Sequence, residues 1–156
     1  MNIRLAEQKD IRDLLRLLSQ VLEVHAKIRP DIFRSGTTKY TEEDLTKMIQ
    51  DDKKPIYVAE DENEGVLGYA FCQEKEQPFS TTMVPFKSFF IDDLCVDETK
   101  RGQHVGKALF EYVKEEAEAR GCYELTLNVW EGNDTAQHFY ENLGMTTKER
   151  QLELIL

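Results

Sequence analysis

Phe89-Phe90-Ile91-Asp92-Asp93-Leu94-Cys95-Val96, followed by Asp97-Glu98-Thr99-Lys100-Arg101-Gly102-Gln103-His104-Val105-Gly106-Lys107-Ala108, is the stretch on which the fold turns. Its first half is apolar and rich in aromatic and branched residues, and it reads as a strand over residues 86–96. Val105, Ala108, Leu109, Tyr112, Val113 and Ala117 then share one side of a helix over residues 105–120, which Gly121 is placed to end. Residues 123–129 alternate Leu125, Leu127 and Val129, the pattern of a strand with one buried face. Strand, helix and strand form a βαβ unit whose two strands lie parallel through a right-handed crossover. Glycines in the turn permit positive φ and a close approach of ligand to backbone. The first helical turn offers free N–H groups and the positive end of its dipole, beside Lys100, Arg101 and Lys107. Such a turn suits an anion; it also fits an ordinary turn with a solvated basic rim.

Working outward, residues 2–6 read as a short strand. Leu14, Leu15, Leu18, Val21 and Leu22 mark a helix from Ile11 that fades before Pro30. Residues 25–39 show no clear period. Thr41 and Asp44 resemble a helix cap ahead of Leu45, Met48 and Ile49. Residues 56–60 and 66–72 read as two strands of a hairpin, and residues 73–85, with Pro78 and Pro85, as an exposed connection. Asn133 or Asp134 caps a short helix bearing Ala136, Phe139, Tyr140 and Leu143, closed by Gly144. Residues 145–156 supply one last strand or two short ones. The expected fold is α/β in the broad sense, an α+β mixed sheet with flanking helices, in a single domain over residues 1–156.

The 156 residues carry 20 Lys+Arg against 30 Asp+Glu, a net charge of −10. That balance argues against a duplex nucleic-acid partner, which needs a basic face. It allows a cationic substrate. The N-terminus lacks the apolar core of a signal peptide, and no apolar run reaches the roughly 18–20 residues of a membrane span. Cys72, Cys95 and Cys122 show no metal-ligand spacing and read as reduced thiols. No metal, no membrane and a cytoplasmic location are the expectations. The turn lacks GxxxxGK[ST] and GxGxxG, which disfavours a P-loop or a dinucleotide fold.

The turn does resemble the acyl-CoA loop of the GNAT N-acetyltransferase superfamily, [Q/R]-x-x-G-x-[G/A] after an apolar strand. Arg101-Gly102-Gln103-His104-Val105-Gly106 is the preferred register, with His104 where the family usually has a glycine. A second register, Gln103 to Ala108, fits the letters but lengthens the turn. His tolerates positive φ better than most residues, so the turn can survive the exchange. Asn133-Asp134-Thr135-Ala136-Gln137-His138-Phe139-Tyr140-Glu141-Asn142-Leu143-Gly144-Met145 resembles the family's N-x-x-A-x-x-F-Y-x-x-x-G-F segment, with Met in the last place. Residues 86–146 carry the resemblance strongly.

The resemblance implies a mostly antiparallel sheet with one splayed parallel pair, and acetyl-CoA in the gap. Leu94, Cys95 and Val96 would pair with its pantetheine arm. Arg101, Gly102, Gln103, His104, Val105, Gly106, Lys107 and Ala108 would hold its pyrophosphate, with Asn133 and Tyr140 beside the arm. Tyr140 matches the family's general acid, and Asp92 is preferred over Asp93 as the base. The Leu94 backbone N–H is the candidate donor to the thioester oxygen. Arg29, Phe33 and Tyr40 lie where the family shapes its acceptor pocket. The implied reaction is direct acetyl transfer to a primary amine: a polyamine, an aminoglycoside, a lysine or a protein N-terminus. A Cys95 acyl-enzyme is disfavoured, because no His or Lys is evidently placed to activate it. The competing reading is a non-catalytic acyl-CoA sensor or interaction module on the same fold. The apolar strand at residues 152–156 is a candidate homodimer edge.

Overall fold

The computed structural model describes residues 1–77 and 80–156. Pro78, one of the two prolines expected to punctuate the long connection, lies outside them. Strands β1 (Asn2–Leu5), β2 (Ile56–Asp61), β3 (Gly65–Glu76), β4 (Lys87–Val96) and β5 (Glu124–Leu127) form one sheet in the order β1-β2-β3-β4-β5. All neighbours are antiparallel except β4 and β5, which are parallel and joined through helix α3 (Val105–Ala119). The mixed sheet and the βαβ unit are as expected.

Alternation along the strands sorts the core onto two faces. Ile56 and Val58 of β2, with Tyr69 and Phe71 of β3, pack beneath α1 (Ile11–Ile28) and α2 (Glu42–Ile49). Tyr57, Ala59, Ala70 and Cys72 face the other way, onto Val105, Leu109, Phe110 and Val113 of α3. Helix α4 (Asp134–Asn142) adds Tyr140 to that second face. Between the two layers, Gly68 has no room for a side chain, since a Cβ there would lie 2.7 Å from the Cys95 carbonyl oxygen. Thr41 and Asp44 form the capping box that starts α2.

Three expectations are corrected. Strand β3 runs on to Glu76, because residues 73–76 pair with Phe90, Phe89, Ser88 and Lys87; the exposed connection is shorter than the prolines suggest. Strand β5 is four residues long rather than seven, because β4 has turned away from it beyond Leu127. Residues 145–156 form no strand: β5 is the last strand of the sheet, and among the described residues no strand pairs with the tail. Alternating polarity gives a segment strand propensity, but a strand also needs a neighbour. Among the described residues no helix is long and apolar enough to cross a membrane.

Candidate functional site

The parallel pair β4–β5 is hydrogen-bonded only from Ser88↔Glu124 to Ile91↔Leu127. Past Ile91, β4 continues to Val96 with β3 on one side and, among the described residues, no strand on the other. Leu94, Cys95 and Val96 therefore border a gap in the sheet, with backbone groups on that side free for an extended ligand. One irregularity sits at its mouth. Phe71 opposes Asp93 while Cys72 opposes Ile91, so Asp92 is an extra residue in β4, a β-bulge. The bulge breaks the alternation that would send Asp92 and Asp93 to opposite faces.

At the end of β4 the chain is pinned by Asp97, 7% exposed. Burial opposes its charge, but the Thr99 N–H, the Arg16 guanidinium and the Thr99 hydroxyl together hold its carboxyl at about 2. Next comes a turn with Gly102 at φ 84° and His104 at φ 62°, ψ 18°, directly before Val105 starts α3. The left-handed His104 fits the first loop register. The earliest helical bond runs from the Ala108 N–H to the His104 carbonyl, 3.1 Å, and no acidic residue occupies the first turn. The N–H groups of Val105, Gly106 and Lys107 thus have no helical acceptor at the start of α3. Gly106 lets α3 close on its neighbours: a Cβ would stand 3.2 Å from the Phe139 ring and 3.4 Å from Val96 Cγ2. Lys100 is drawn off to Glu64, 2.7 Å away, whereas Arg101 and Lys107 have no ion-pair partner among the described residues.

The exposed His104 holds a backbone shape that β-branched residues resist. His104→Val is expected to cost about 1–2 kcal/mol, while His104→Gly keeps stability. Thermal denaturation of each variant measures the effect.

The carboxylates have divided environments. Asp92 accepts from the Tyr40 hydroxyl at 2.6 Å and from the Lys39 ammonium at 2.9 Å. Tyr40 in turn stacks on Phe71, ring centroids 5.6 Å apart, so the hydroxyl is aimed by the core. Asp93 accepts from the Tyr69 hydroxyl at 2.7 Å; Tyr69 is fully buried and packs edge-on against Phe71. Burial pushes the Asp93 carboxyl up to about 6, assisted by the charge of Asp92 and opposed by Tyr69 and Lys39. A carboxylate so placed changes protonation just below neutral pH.

Tyr140 sits between Phe139, 5.0 Å away and edge-on, and Phe110, 6.2 Å away. Its hydroxyl has no partner among the described residues. Burial, then the charge of Asp93, keeps the phenol well above its ordinary range and therefore protonated at neutral pH. Cys95 is buried, its Sγ directed to the Leu17 carbonyl, and burial pushes its thiol up to about 12. That removes the thiolate a covalent route would need. Asn133 caps α4, its Oδ1 accepting from the Ala136 N–H at 3.3 Å.

Of the acceptor-side residues, Tyr40 reaches Asp92. Arg29 and Phe33 belong to a neighbouring wall: Phe33 packs against His25 (5.1 Å) and Trp130 (5.3 Å), and Arg29 lies over Trp130 at 5.9 Å. Arg29 is also engaged by Asp31 and Glu153. Burial lowers the His25 pKa and the Lys39 charge lowers it further. Sequence reasoning missed Lys39, Tyr69 and Trp130. Tyr69 had a usable signal, an aromatic at a core-facing strand position. Lys39 and Trp130 had none. No grouping of metal-ligating side chains occurs among the described residues.

Residues 19–145 match the model of the acetyltransferase (GNAT) family. A glucosamine 6-phosphate N-acetyltransferase of Trypanosoma brucei brucei is 38% identical over 66 residues, a match that spans 42% of this chain and 43% of that enzyme. The thialysine N-epsilon-acetyltransferase of Bos taurus is 25% identical over 150 residues, 91% of this chain and 82% of that one. The crystal structure of a single-substitution mutant of the BH1408 protein from Bacillus halodurans is 36% identical, covers 100% of this chain and 99% of its own, and superposes with a TM-score of 0.95.

Proposed function

The chain belongs to the acetyltransferase (GNAT) family, and on that premise we propose that it moves an acetyl group from acetyl-CoA to a cationic primary amine by direct attack. The observation that carries this reading is Lys39. Its primary ammonium rests on Asp92, beside Asp93 and at the mouth of the β4–β5 gap, where an acceptor's nitrogen belongs. The named relatives act at nitrogen on a glucosamine phosphate and on thialysine, and an amine is the group those names share.

The residues fit the donor: an unpaired strand edge for an amide-bearing arm and open helix N–H groups for its phosphates. Acetyl-CoA supplies an acyl group activated as a thioester. Asp92 and Tyr40 seat the acceptor's ammonium. Asp93 takes its proton, directly or through one water, in preference to the Asp92 that the sequence alone favours, because Asp92 is committed to Lys39 and Tyr40. The Leu94 backbone N–H supports negative charge growing on the acyl oxygen. Tyr140 returns a proton to the departing sulfur. The new bond is N–C and the broken one is S–C; the ammonium loses one proton to Asp93 before attack and a second, to solvent, once the N–C bond has formed, while Tyr140 gives its proton to sulfur and regains one from solvent.

Incubation with acetyl-CoA and a panel of amines, read by mass spectrometry, is expected to yield an N-acetylated amine and an equal amount of free CoA. Tight CoA binding with no product across the panel would replace this reading with an acyl-CoA-binding module. Because Lys39 competes for Asp92, Lys39→Ala is expected to lower KM for cationic acceptors about 2- to 5-fold, the worth of an exposed ion pair. Steady-state kinetics at fixed acetyl-CoA measures it, and a KM that rises instead makes Lys39 part of the acceptor's seat.

A further inference from the structure

An amine of the chain itself stands at the acceptor's seat. Lys39 lies in the irregular stretch between α1 and α2, with its Nζ 2.9 Å from Asp92 Oδ1 and 5.5 Å from the centre of the Tyr40 ring. The Tyr40 hydroxyl meets the other oxygen of that carboxylate at 2.6 Å, so ammonium, carboxylate and phenol form one cluster. Asp92 is the bulge residue of β4, and Leu94, two residues on, begins the edge that borders the gap. Two strand residues span about 7 Å, a distance that the four-carbon stem of a lysine covers by swinging. The Lys39 charge also acts on the Asp93 carboxyl. Nothing locks the side chain in place. It is 47% exposed, and an ion pair that open contributes about 0–1 kcal/mol, so the ammonium leaves Asp92 readily. The other lysine ion pairs among the described residues end on other carboxylates.

We propose that Lys39 is itself an acceptor: supplied with acetyl-CoA and no amine substrate, the chain acetylates its own Lys39, and this modification opens the seat at Asp92 to outside amines. The inference rests on the acetyl-transfer reading of the site. The bonds are those of that reaction: N–C forms at Lys39 Nζ, S–C breaks, and free CoA is the product. The Lys39 ammonium loses one proton to Asp93 before attack and a second to solvent afterwards, while Tyr140 gives its proton to sulfur and regains one from solvent. The resulting amide is neutral and has no ion pair to make with Asp92. Asp92 and the Tyr40 hydroxyl are then left for the ammonium of an incoming acceptor. An amine that takes the seat first displaces Lys39 and protects it.

Incubation of the full chain with acetyl-CoA alone is expected to add about 42 Da to it and to release an equal amount of CoA. Peptide mapping is expected to place the acetyl group on Lys39. Lys47 is the internal reference, because its side chain is 76% exposed and random acylation favours it over Lys39. Proximity is expected to make Lys39 react at least about 100-fold faster than Lys47, at a rate independent of chain concentration. Excess desulfo-CoA, which fills the donor site without an acyl group, is expected to stop the reaction. Full modification is expected to lower KM for cationic acceptors about 2- to 5-fold, the effect of losing one exposed ion pair. Lys39→Arg keeps a charge that is not acylated at neutral pH, so it shows neither the added mass nor the lower KM. Lys39 modified no faster than Lys47, or equally fast under desulfo-CoA, overturns the inference, as does a rate proportional to chain concentration. Full modification with KM unchanged overturns the opening of the seat. Acetylation of panel amines beside an unmodified Lys39 overturns this inference and leaves the acetyl-transfer reading standing. No modification of Lys39 or of any amine overturns that reading, and this inference with it.

Discussion

Tyr140→Phe is expected to lower kcat for acetyl transfer by about 10²- to 10⁴-fold, the usual worth of a positioned general acid. Acetyl-CoA binding should change little. The substitution removes one oxygen and keeps the ring that packs between Phe110 and Phe139, so the fold around it is preserved. What disappears is a hydroxyl that has no partner among the described residues and whose proton is retained by burial and by the field of Asp93. A thiolate leaves poorly without a proton, so the step that suffers is expulsion of sulfur. Stopped-flow single-turnover measurement, which isolates chemistry from product release, is the appropriate assay. An unchanged single-turnover rate would return Tyr140 to the core and leave the leaving group to solvent.

The same variant separates an enzyme from a binding module. A module that merely holds CoA would register Tyr140→Phe only as a small packing change. The bulge at Asp92 argues for the enzyme. A regular strand would serve to bind an extended arm, whereas the extra residue re-aims the backbone and side chains where β4 leaves β5. Bulges of this kind interrupt pairing and cost stability, and they persist where a side chain must be redirected.

The βαβ unit was legible because its signals are local: helical spacing from Val105 to Ala117, Gly121 as a stop, and glycines in the turn. The left-handed His104 was legible only as one option beside a remodelled turn or a plain helix-start residue, because His tolerates positive φ. The carboxylate assignment was not. Whether Asp92 and Asp93 share a face depends on a bulge set by how β3 and β4 pair, and that pairing joins residues about 20 apart. Lys39 came from a segment without period, and its placement on Asp92 is decided by Tyr40 stacking on Phe71. The tail was misjudged for a related reason: its alternation reports strand propensity but carries no information on whether a neighbouring strand is there to pair with it.

Asp93→Asn is expected to lower kcat by about 10²- to 10⁴-fold and to remove the acidic limb of the pH–rate profile. In the wild-type chain the carboxyl, pushed up to about 6, must be ionised to accept a proton, so kcat/KM rises with pH through about 6 and then flattens. The Asn variant has nothing to ionise there. Asp92→Asn acts differently, raising the acceptor KM because its carboxylate seats the ammonium beside Tyr40, and keeping an acidic limb that moves down in pH because the Asp92 charge no longer helps to raise Asp93. Stability supplies an independent check of sign. Asp93 binds its proton more tightly in the folded chain than at its ordinary value of 3.8. Its contribution therefore favours folding below about 4 and is lost as pH rises through about 6, by up to about 3 kcal/mol. Asn keeps a neutral acceptor for the Tyr69 hydroxyl without that loss, so at pH 7–8 the slower variant is also expected to melt higher. A variant that is both inactive and less stable would mean that Asp93 holds the fold together and that the proton goes elsewhere. One that melts higher with its activity and its limb at 6 intact would remove Asp93 from the base role. Only the combination of lost rate, lost limb and raised melting temperature identifies a buried carboxylate kept at a cost to the fold for the sake of the proton transfer.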